Sequence, residues 1–134
     1  MTRLPALALA AVLALAGCRS EGPPDAAYRA FAQATRDGDA ETAWSLLSSS
    51  TREWLDRRAS EVASRAPEGV VPSSGKALLL GNAALAAPRV KSVVILRETA
   101  DRAVVKVEAE GQPPREVTLV NERGWRVDIA PPGP

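Results

Sequence analysis

Residues 90–129 decide the fold, and their sequence is VKSVVILRETADRAVVKVEAEGQPPREVTLVNERGWRVDI. Through most of this stretch apolar and polar residues alternate, which is the pattern of strands with one dry face and one wet face. Segments that contain Gly, Pro, Asn or Asp separate the alternating runs and indicate short turns. Because strands joined by short turns pair with their neighbours, the stretch predicts an antiparallel meander of about four strands.

The same alternation predicts which side chains point into the core. The first strand, Val90 to Arg97, contains the unbroken apolar run Val93–Leu96, which predicts a strand covered on both faces. In the later strands we expect apolar residues of one phase to point inward: Ala103, Val105, Val107, Ala109, Val117, Leu119, Trp125, Val127 and Ile129. The charged residues of the opposite phase then form a solvated outer face: Lys106, Glu108, Glu110, Glu116, Arg126 and Asp128.

Two amphipathic helices are predicted to precede the strands. The first begins with Asp25 as its N-cap, has Tyr28 and Phe31 on its apolar face, and ends at Gly38. A second helix follows directly, with Asp39 as its N-cap. The apolar face of this second helix consists of Ala40, Ala43, Trp44 and Leu47.

A third helix is predicted from the capping-box pattern of Ser50 and Glu53, and Pro67 ends it. Its apolar stripe has helical spacing and consists of Leu55, Ala59, Val62 and Ala66. The apolar stretch Ala77–Ala87 is left open between a short helix and an irregular segment, because a Gly-Asn pair interrupts it. Three helices followed by about four strands predict an α+β domain, with the helices packed on one face of a curved antiparallel sheet.

The N-terminal segment predicts export rather than a folded element. A helix needs about 20 apolar residues to cross a bilayer, so the thirteen residues Leu4–Ala16 predict the apolar region of a signal peptide. The run ends in a motif that resembles the lipobox of bacterial lipoproteins: Leu15, Ala16, Gly17 and Cys18. This resemblance implies cleavage after residue 17 and a diacylglyceryl group on the sulfur of Cys18.

Together with the predicted elements, the lipobox divides the chain into a signal peptide (1–17), a lipidated tether (18–24), a folded domain (25–130) and a loose Pro-rich tail (131–134). Two or three acyl chains, palmitate among them, hold a protein firmly on a membrane. The resemblance therefore implies a membrane-anchored lipoprotein of the bacterial cell envelope. In Gram-negative lipoproteins an Asp after the lipidated Cys favours the inner membrane, so Arg19 implies the outer membrane, with the domain facing the periplasm.

The amino-acid composition argues against several kinds of catalytic, metal-binding and nucleic-acid-binding site. The 134 residues contain 17 Lys+Arg, 16 Asp+Glu, one Cys and no His. Without His or a second Cys, we expect no imidazole-based catalysis, no His or Cys metal site and no intrachain disulfide. The near-zero net charge provides no basic surface for nucleic acid. We therefore expect no nucleic-acid partner, no metal and no cofactor.

Three features of the domain carry a family resemblance: the helix junction Arg36–Asp39, the helix that bears Trp44, and the final strand motif Gly124–Asp128. Together they resemble the NTF2-like superfamily of cone-shaped (cystatin-like) α+β domains, and more narrowly its small bacterial lipoproteins of unknown function. The resemblance implies a helix-covered sheet around an apolar pocket. We expect the pocket to be lined by Tyr28, Phe31, Trp44, Val105, Leu119 and Trp125.

Such a fold hosts more than one class of function. The first is a non-catalytic binding or scaffold domain, which binds an apolar small molecule or a protein partner. The second is a small enzyme similar to ketosteroid isomerases and SnoaL-like proteins, which need an acid or base inside the cone. The inward positions from Ala103 to Ile129 are apolar, so the sequence favours the first class and assigns no catalytic residue. An open apolar cavity favours a ligand and a filled core favours a scaffold, while the oligomeric state stays open.

Overall fold

The structure is a computed structural model that describes residues 22–129, without the side chains of residue 80 and residues 82–86. The helices are α1 (Pro24–Asp37), α2 (Ala40–Ser45), α3 (Ser49–Ser64) and α4 (Gly75–Ala86). The strands are β1 (Val90–Glu98), β2 (Arg102–Ala109), β3 (Arg115–Asn121) and β4 (Trp125–Asp128). They form one antiparallel sheet in the order β1-β2-β3-β4.

The predicted α+β class is confirmed, with a correction to the number of helices. The stretch Ala77–Ala87, which the sequence left open, belongs almost entirely to a fourth helix, α4. Ser74 caps this helix, because its Oγ accepts a hydrogen bond from the Ala77 N–H at 3.2 Å. The predicted signal peptide (1–17), the lipid attachment residue Cys18 and the tail (131–134) lie outside the described residues.

The boundary between α1 and α2 lies where the sequence predicts it, whereas α1 begins before its predicted N-cap. Gly38 ends α1 in the left-handed conformation, with φ 71°. Asp39 caps α2 by accepting a hydrogen bond from the Thr42 N–H. Asp25 is not an N-cap, because Pro24 already occupies the first helical position and Asp25 lies in the first turn.

The N-cap of α3 is Ser48, two residues before the predicted one. Its backbone is extended, and its Oγ accepts a hydrogen bond from the Thr51 N–H at 3.2 Å. The predicted capping box of Ser50 and Glu53 therefore lies inside the helix. Ser48 also bonds to Asp128 in the last strand, a partner that no local sequence motif can reveal.

The apolar stripe of α3 is shorter than predicted. Leu55 and Ala59 are buried, but Val62 is 37% exposed. Ala66 lies beyond the helix, which ends at Ser64. The buried stripe of α3 therefore ends at Ala59.

The three later strands bury the predicted face. Their buried apolar residues are Ala103, Val105, Val107, Ala109, Val117, Leu119, Trp125 and Val127. Ile129, the last of the predicted inward residues, is 42% exposed. It follows the end of β4 at Asp128 and lines an open cavity on the helix side of the sheet, so its side chain lies on the inner side without being covered.

The first strand is not covered on both faces, so that prediction was wrong. Val93 is 6% exposed, whereas the next residue, Val94, is 53% exposed and Leu96 is 41% exposed. Val93 belongs to the core cluster with Tyr28 of α1 and Leu55 of α3. The helices therefore pack on one face of the sheet, and the opposite face of β1 contacts solvent despite its apolar residues.

The outer edge of β4 pairs with the segment that joins α2 to α3. The Ser48 N–H donates to the Val127 carbonyl at 2.9 Å, and the Val127 N–H donates to the Leu46 carbonyl at 2.7 Å. Leu47, which lies between these two bonds, is fully buried. This short parallel bridge satisfies the edge of β4 and places the first turn of α3 beside the end of the sheet.

Helix α4 lies close to α3 at Gly75. A Cβ atom at this position would lie 2.7 Å from the Asp56 N and 2.8 Å from the Leu55 carbonyl carbon. The Gly75 N–H donates to Asp56 Oδ1 at 2.8 Å. Because glycine has no Cβ, the two helices can approach each other at this point. Further along α4, Leu79 packs against the core.

Candidate binding site

A cavity of about 340 Å³ lies at the end of the sheet where β1 and β3 begin and where β2 and β4 end. The residues from α1 that line it are Tyr28, Phe31, Ala32 and Thr35. Helix α4, the link that follows it and the start of β1 provide Leu79, Ala87, Pro88 and Val90. The sheet and the residue after β4 provide Ala109, Arg115, Val117, Val127 and Ile129. The lining is therefore mostly apolar, as ligand-binding cavities usually are.

Helix α1 forms the aromatic wall of the cavity. Tyr28, Phe31 and Thr35 lie on one side of the helix because residues three and four apart share a face. The two rings pack in a tilted arrangement, with centroids 6.2 Å apart. The Thr35 hydroxyl donates to the Phe31 carbonyl at 2.9 Å, so its hydrogen is already used inside the helix.

The polar centre of the cavity is formed by Tyr28 and Arg115. The Arg115 Nη2 donates to the Tyr28 hydroxyl at 2.7 Å. Tyr28 is only 3% exposed, whereas Arg115 reaches the cavity from the exposed start of β3. Two hydrogen-bonding side chains, one of them cationic, thus meet in an otherwise apolar wall.

Of the six residues predicted to line a pocket, Tyr28 and Phe31 do so. Val105 and Leu119 do not, because they lie in the middle of the sheet and are fully buried in the core. Trp125 does not, because it begins β4 and so lies at the opposite end of the sheet. Trp44 is half-buried and packs against the core cluster instead. These four positions are corrections to the predicted pocket.

Arg115, the charged side chain that lines the cavity, was not predicted as a site residue. This residue follows the Pro113-Pro114 turn and gave no local pattern of its own. Its partner Tyr28 lies 87 positions earlier. Only the packing of α1 against the sheet brings the two side chains together.

A basic cleft of about 410 Å³ adjoins the cavity, and the two share Ala32 and Val90 as lining residues. Its cationic side chains are Arg29, Arg36 and Arg89. Gln33 donates to Asp37 Oδ1 at 2.8 Å, so the acidic residue of the cleft has a partner on its own helix. The surroundings of the cavity are therefore positively charged.

A third cleft, of about 550 Å³, lies beside the turn between β3 and β4. Three arginines line it: Arg52, Arg123 and Arg126. The Glu122 carboxylate already accepts hydrogen bonds from the Ser49 N–H at 3.1 Å and the Ser49 Oγ at 2.8 Å. The protein thus supplies its own carboxylate to the N-terminus of α3.

Among residues 22–129, no helix has the length and apolar character that a membrane span requires. Within the same range, no group of three or more His, Cys, Asp or Glu residues is arranged to hold a metal ion.

Comparisons with known proteins give no family assignment: no protein-family model matches the chain, and neither a curated protein nor a solved structure matches it.

Proposed function

We propose that this protein is a lipid-anchored lipoprotein of the bacterial cell envelope whose domain binds a small apolar molecule without transforming it. The observation that carries the proposal is the open cavity of about 340 Å³ with a mostly apolar lining. Its volume falls within the range of about 300–1,000 Å³ that is usual for ligand sites. A completely filled core would instead have favoured a scaffold.

The location follows from the lipobox of Leu15, Ala16, Gly17 and Cys18, and Arg19 supports the outer membrane. Cys18→Ser removes the sulfur that would carry the lipid. We expect this variant to move from the membrane fraction to the soluble or unprocessed fraction. Membrane fractionation with correct processing in the variant would contradict lipidation.

The fold that we propose is NTF2-like. It is supported by the order of elements, helices before an antiparallel meander, and by the helices packing on one face of that sheet. A cavity between α1 and one end of the sheet also agrees with a cone that is open at that end.

Binding is favoured over catalysis by the side chains of the cavity. Among the described lining residues, the side chains with hydrogen-bonding groups are Tyr28, Thr35 and Arg115, and the Thr35 hydroxyl already donates its hydrogen to the Phe31 carbonyl. Arginine remains protonated at ordinary pH and is a poor proton carrier. An isomerase of the ketosteroid type would need a further acid or base in the cavity.

The binding function is tested by native mass spectrometry of the protein purified from its own envelope. Ala32→Leu fills part of the cavity, and Ala30→Leu, on the exposed side of the same helix, makes the same change elsewhere. We expect a bound small molecule on the wild type and on the Ala30→Leu variant, and its loss from the Ala32→Leu variant. Wild-type protein that carries no small molecule would contradict the proposal and leave the scaffold function.

A further inference from the structure

We propose that the ligand is an anionic amphiphile of the fatty-acid class, with its carboxylate bound by Arg115 and Tyr28 and its chain in the apolar cavity. This inference rests on the proposed binding function and adds the chemical class of the ligand. It is carried by one juxtaposition: a cation and a buried hydroxyl meet at 2.7 Å in a wall that is otherwise mostly apolar.

The hydrogen of the Tyr28 hydroxyl has no acceptor among the described residues. In the hydrogen bond with Arg115 the hydroxyl oxygen acts as the acceptor. The residue as a whole is 3% exposed, and it lines the cavity, so an acceptor for this hydrogen would have to lie inside the cavity. A ligand oxygen placed beside Tyr28 would take this hydrogen.

Arg115 supplies the charge. A guanidinium has five N–H donors in a planar fork, and in the described chain one bond of Arg115 is made, to Tyr28. Its neighbour Glu116 is directed to Arg97, and no described carboxylate pairs with Arg115. A carboxylate is one of the ligand groups, together with phosphate, that match a guanidinium fork and a hydroxyl donor.

The apolar lining of the cavity indicates the chemistry of the rest of the ligand. Phe31, Leu79 and Val117 are among the apolar side chains around the polar pair, and they favour a hydrocarbon chain over a sugar or a peptide. The volume of about 340 Å³ is near the lower end of the usual range for ligand sites, which suits one chain of medium length. The arginines of the adjoining cleft, Arg29, Arg36 and Arg89, add a positive field that favours an anion over a cation.

The test is photolabelling of the full-length chain in its own membranes. One probe is a dodecanoate that carries a diazirine in its chain, and the other is the corresponding dodecanol, which lacks the charge. Labelled peptides are mapped by mass spectrometry, and yields are normalised to the labelling of bulk lipid. We expect the acid to label the cavity peptides about tenfold more than the alcohol, because a charge-assisted pair is lost with the alcohol.

Three variants test whether the stronger labelling by the acid depends on Arg115 and Tyr28. Arg115→Gln should lower labelling by the acid about tenfold and leave labelling by the alcohol unchanged, which also reports that the cavity is intact. Tyr28→Phe keeps the ring in the core and should lower labelling by the acid severalfold. Arg57→Gln, on the exposed side of α3, is the matched control and should change neither yield.

The outcomes separate this inference from the function on which it rests. Equal labelling by the acid and the alcohol, unchanged in Arg115→Gln, would overturn the assigned ligand class and leave the binding function intact. Absence of label from the cavity peptides with both probes would overturn the binding function as well.

Discussion

The Ser48 Oγ lies 2.7 Å from Asp128 Oδ1, and this contact joins the N-cap of α3 to the last residue of β4 across 80 positions of sequence. The same carboxylate oxygen lies 3.0 Å from the Ser50 Oγ and 3.2 Å from the Thr51 Oγ1. Asp128 was predicted to be one of the solvated charges of the outer sheet face. It is instead the acceptor of the hydroxyl groups at the start of α3.

This contact predicts coupled losses of stability. We expect Ser48→Ala to lower the free energy of unfolding by about 1–2 kcal/mol, because both the helix cap and the bond to Asp128 are removed. In a double-mutant cycle with Asp128→Ala, we expect a coupling energy of about 1 kcal/mol, measured by urea unfolding. Ser60→Ala, at an exposed position of α3, is the control and should cause no loss. Additive effects of the two changes would show that the pair contributes nothing.

The cap of α2 predicts a pH-dependent contribution. Thr42, through its hydroxyl first and its backbone N–H second, holds the pKa of Asp39 below the ordinary value of 3.8. Because the folded state lowers this pKa, the contribution of Asp39 to stability is fully present above pH 3.8 and is lost as the pH falls through the lower, folded pKa.

A substitution at Thr42 tests this assignment. Thr42→Val removes the hydroxyl and keeps the N–H, so we expect the pKa of Asp39 to rise towards its ordinary value. Thr42→Ser keeps the hydroxyl and should leave the pKa where it is in the wild type. Carboxyl NMR titration measures both shifts, and an unchanged pKa in Thr42→Val would rule out the hydroxyl as the main cause.

The two glycines of α4 predict opposite results for the same change. Gly75→Ala places a Cβ within 2.7 Å of the Asp56 N, so we expect a loss of about 1–3 kcal/mol in the free energy of unfolding. At Gly81 a Cβ would meet nothing within 4 Å, so we expect Gly81→Ala to stabilise the protein by about 0.5–1 kcal/mol. Thermal and urea unfolding of the two variants measure the difference. Equal effects would mean that α3 and α4 are not in close contact at Gly75.

The one-sided burial of β1 predicts a contrast between adjacent valines. Val93→Thr places a hydroxyl in the core, and we expect a loss of about 1–3 kcal/mol in the free energy of unfolding. Val94 is 53% exposed, and Val94→Thr should stay within about 0.5 kcal/mol of the wild type. Urea unfolding of both variants is the measurement. A large loss in Val94→Thr would indicate that the second face of the strand is covered after all.

Much of the fold could be predicted because its causes are local. Alternation in β2 and β3 identifies a buried face, since successive side chains of a strand point to opposite sides. Gly38 and Asp39 mark the end of one helix and the start of the next through backbone conformation and capping. Where the pattern did not distinguish a buried face from an exposed one, as in the unbroken apolar run Val93–Leu96, the prediction was wrong.

The candidate site could be predicted only in its helical half. The amphipathic pattern of α1 placed Tyr28 and Phe31 on the inner side, and these residues do line the cavity. Arg115 and Leu79 carry no pattern that links them to α1, and Trp125 is apolar and inward but lies at the wrong end of the sheet. Inward residues line a cavity only where the neighbouring helices and strands no longer pack against them. The tertiary structure decides where this happens.

Periodicity and capping residues in the chain were therefore sufficient for the α+β class, the strand order and most of the inward positions, because each depends on neighbours within a few residues. The hydroxyls that bond to Asp128, the approach of Gly75 to α3 and the meeting of Tyr28 with Arg115 depend on residues 19 to 87 positions apart. Such contacts exist only after the helices have packed on the sheet, since the free energy that holds them comes from burial of the whole core rather than from any segment alone.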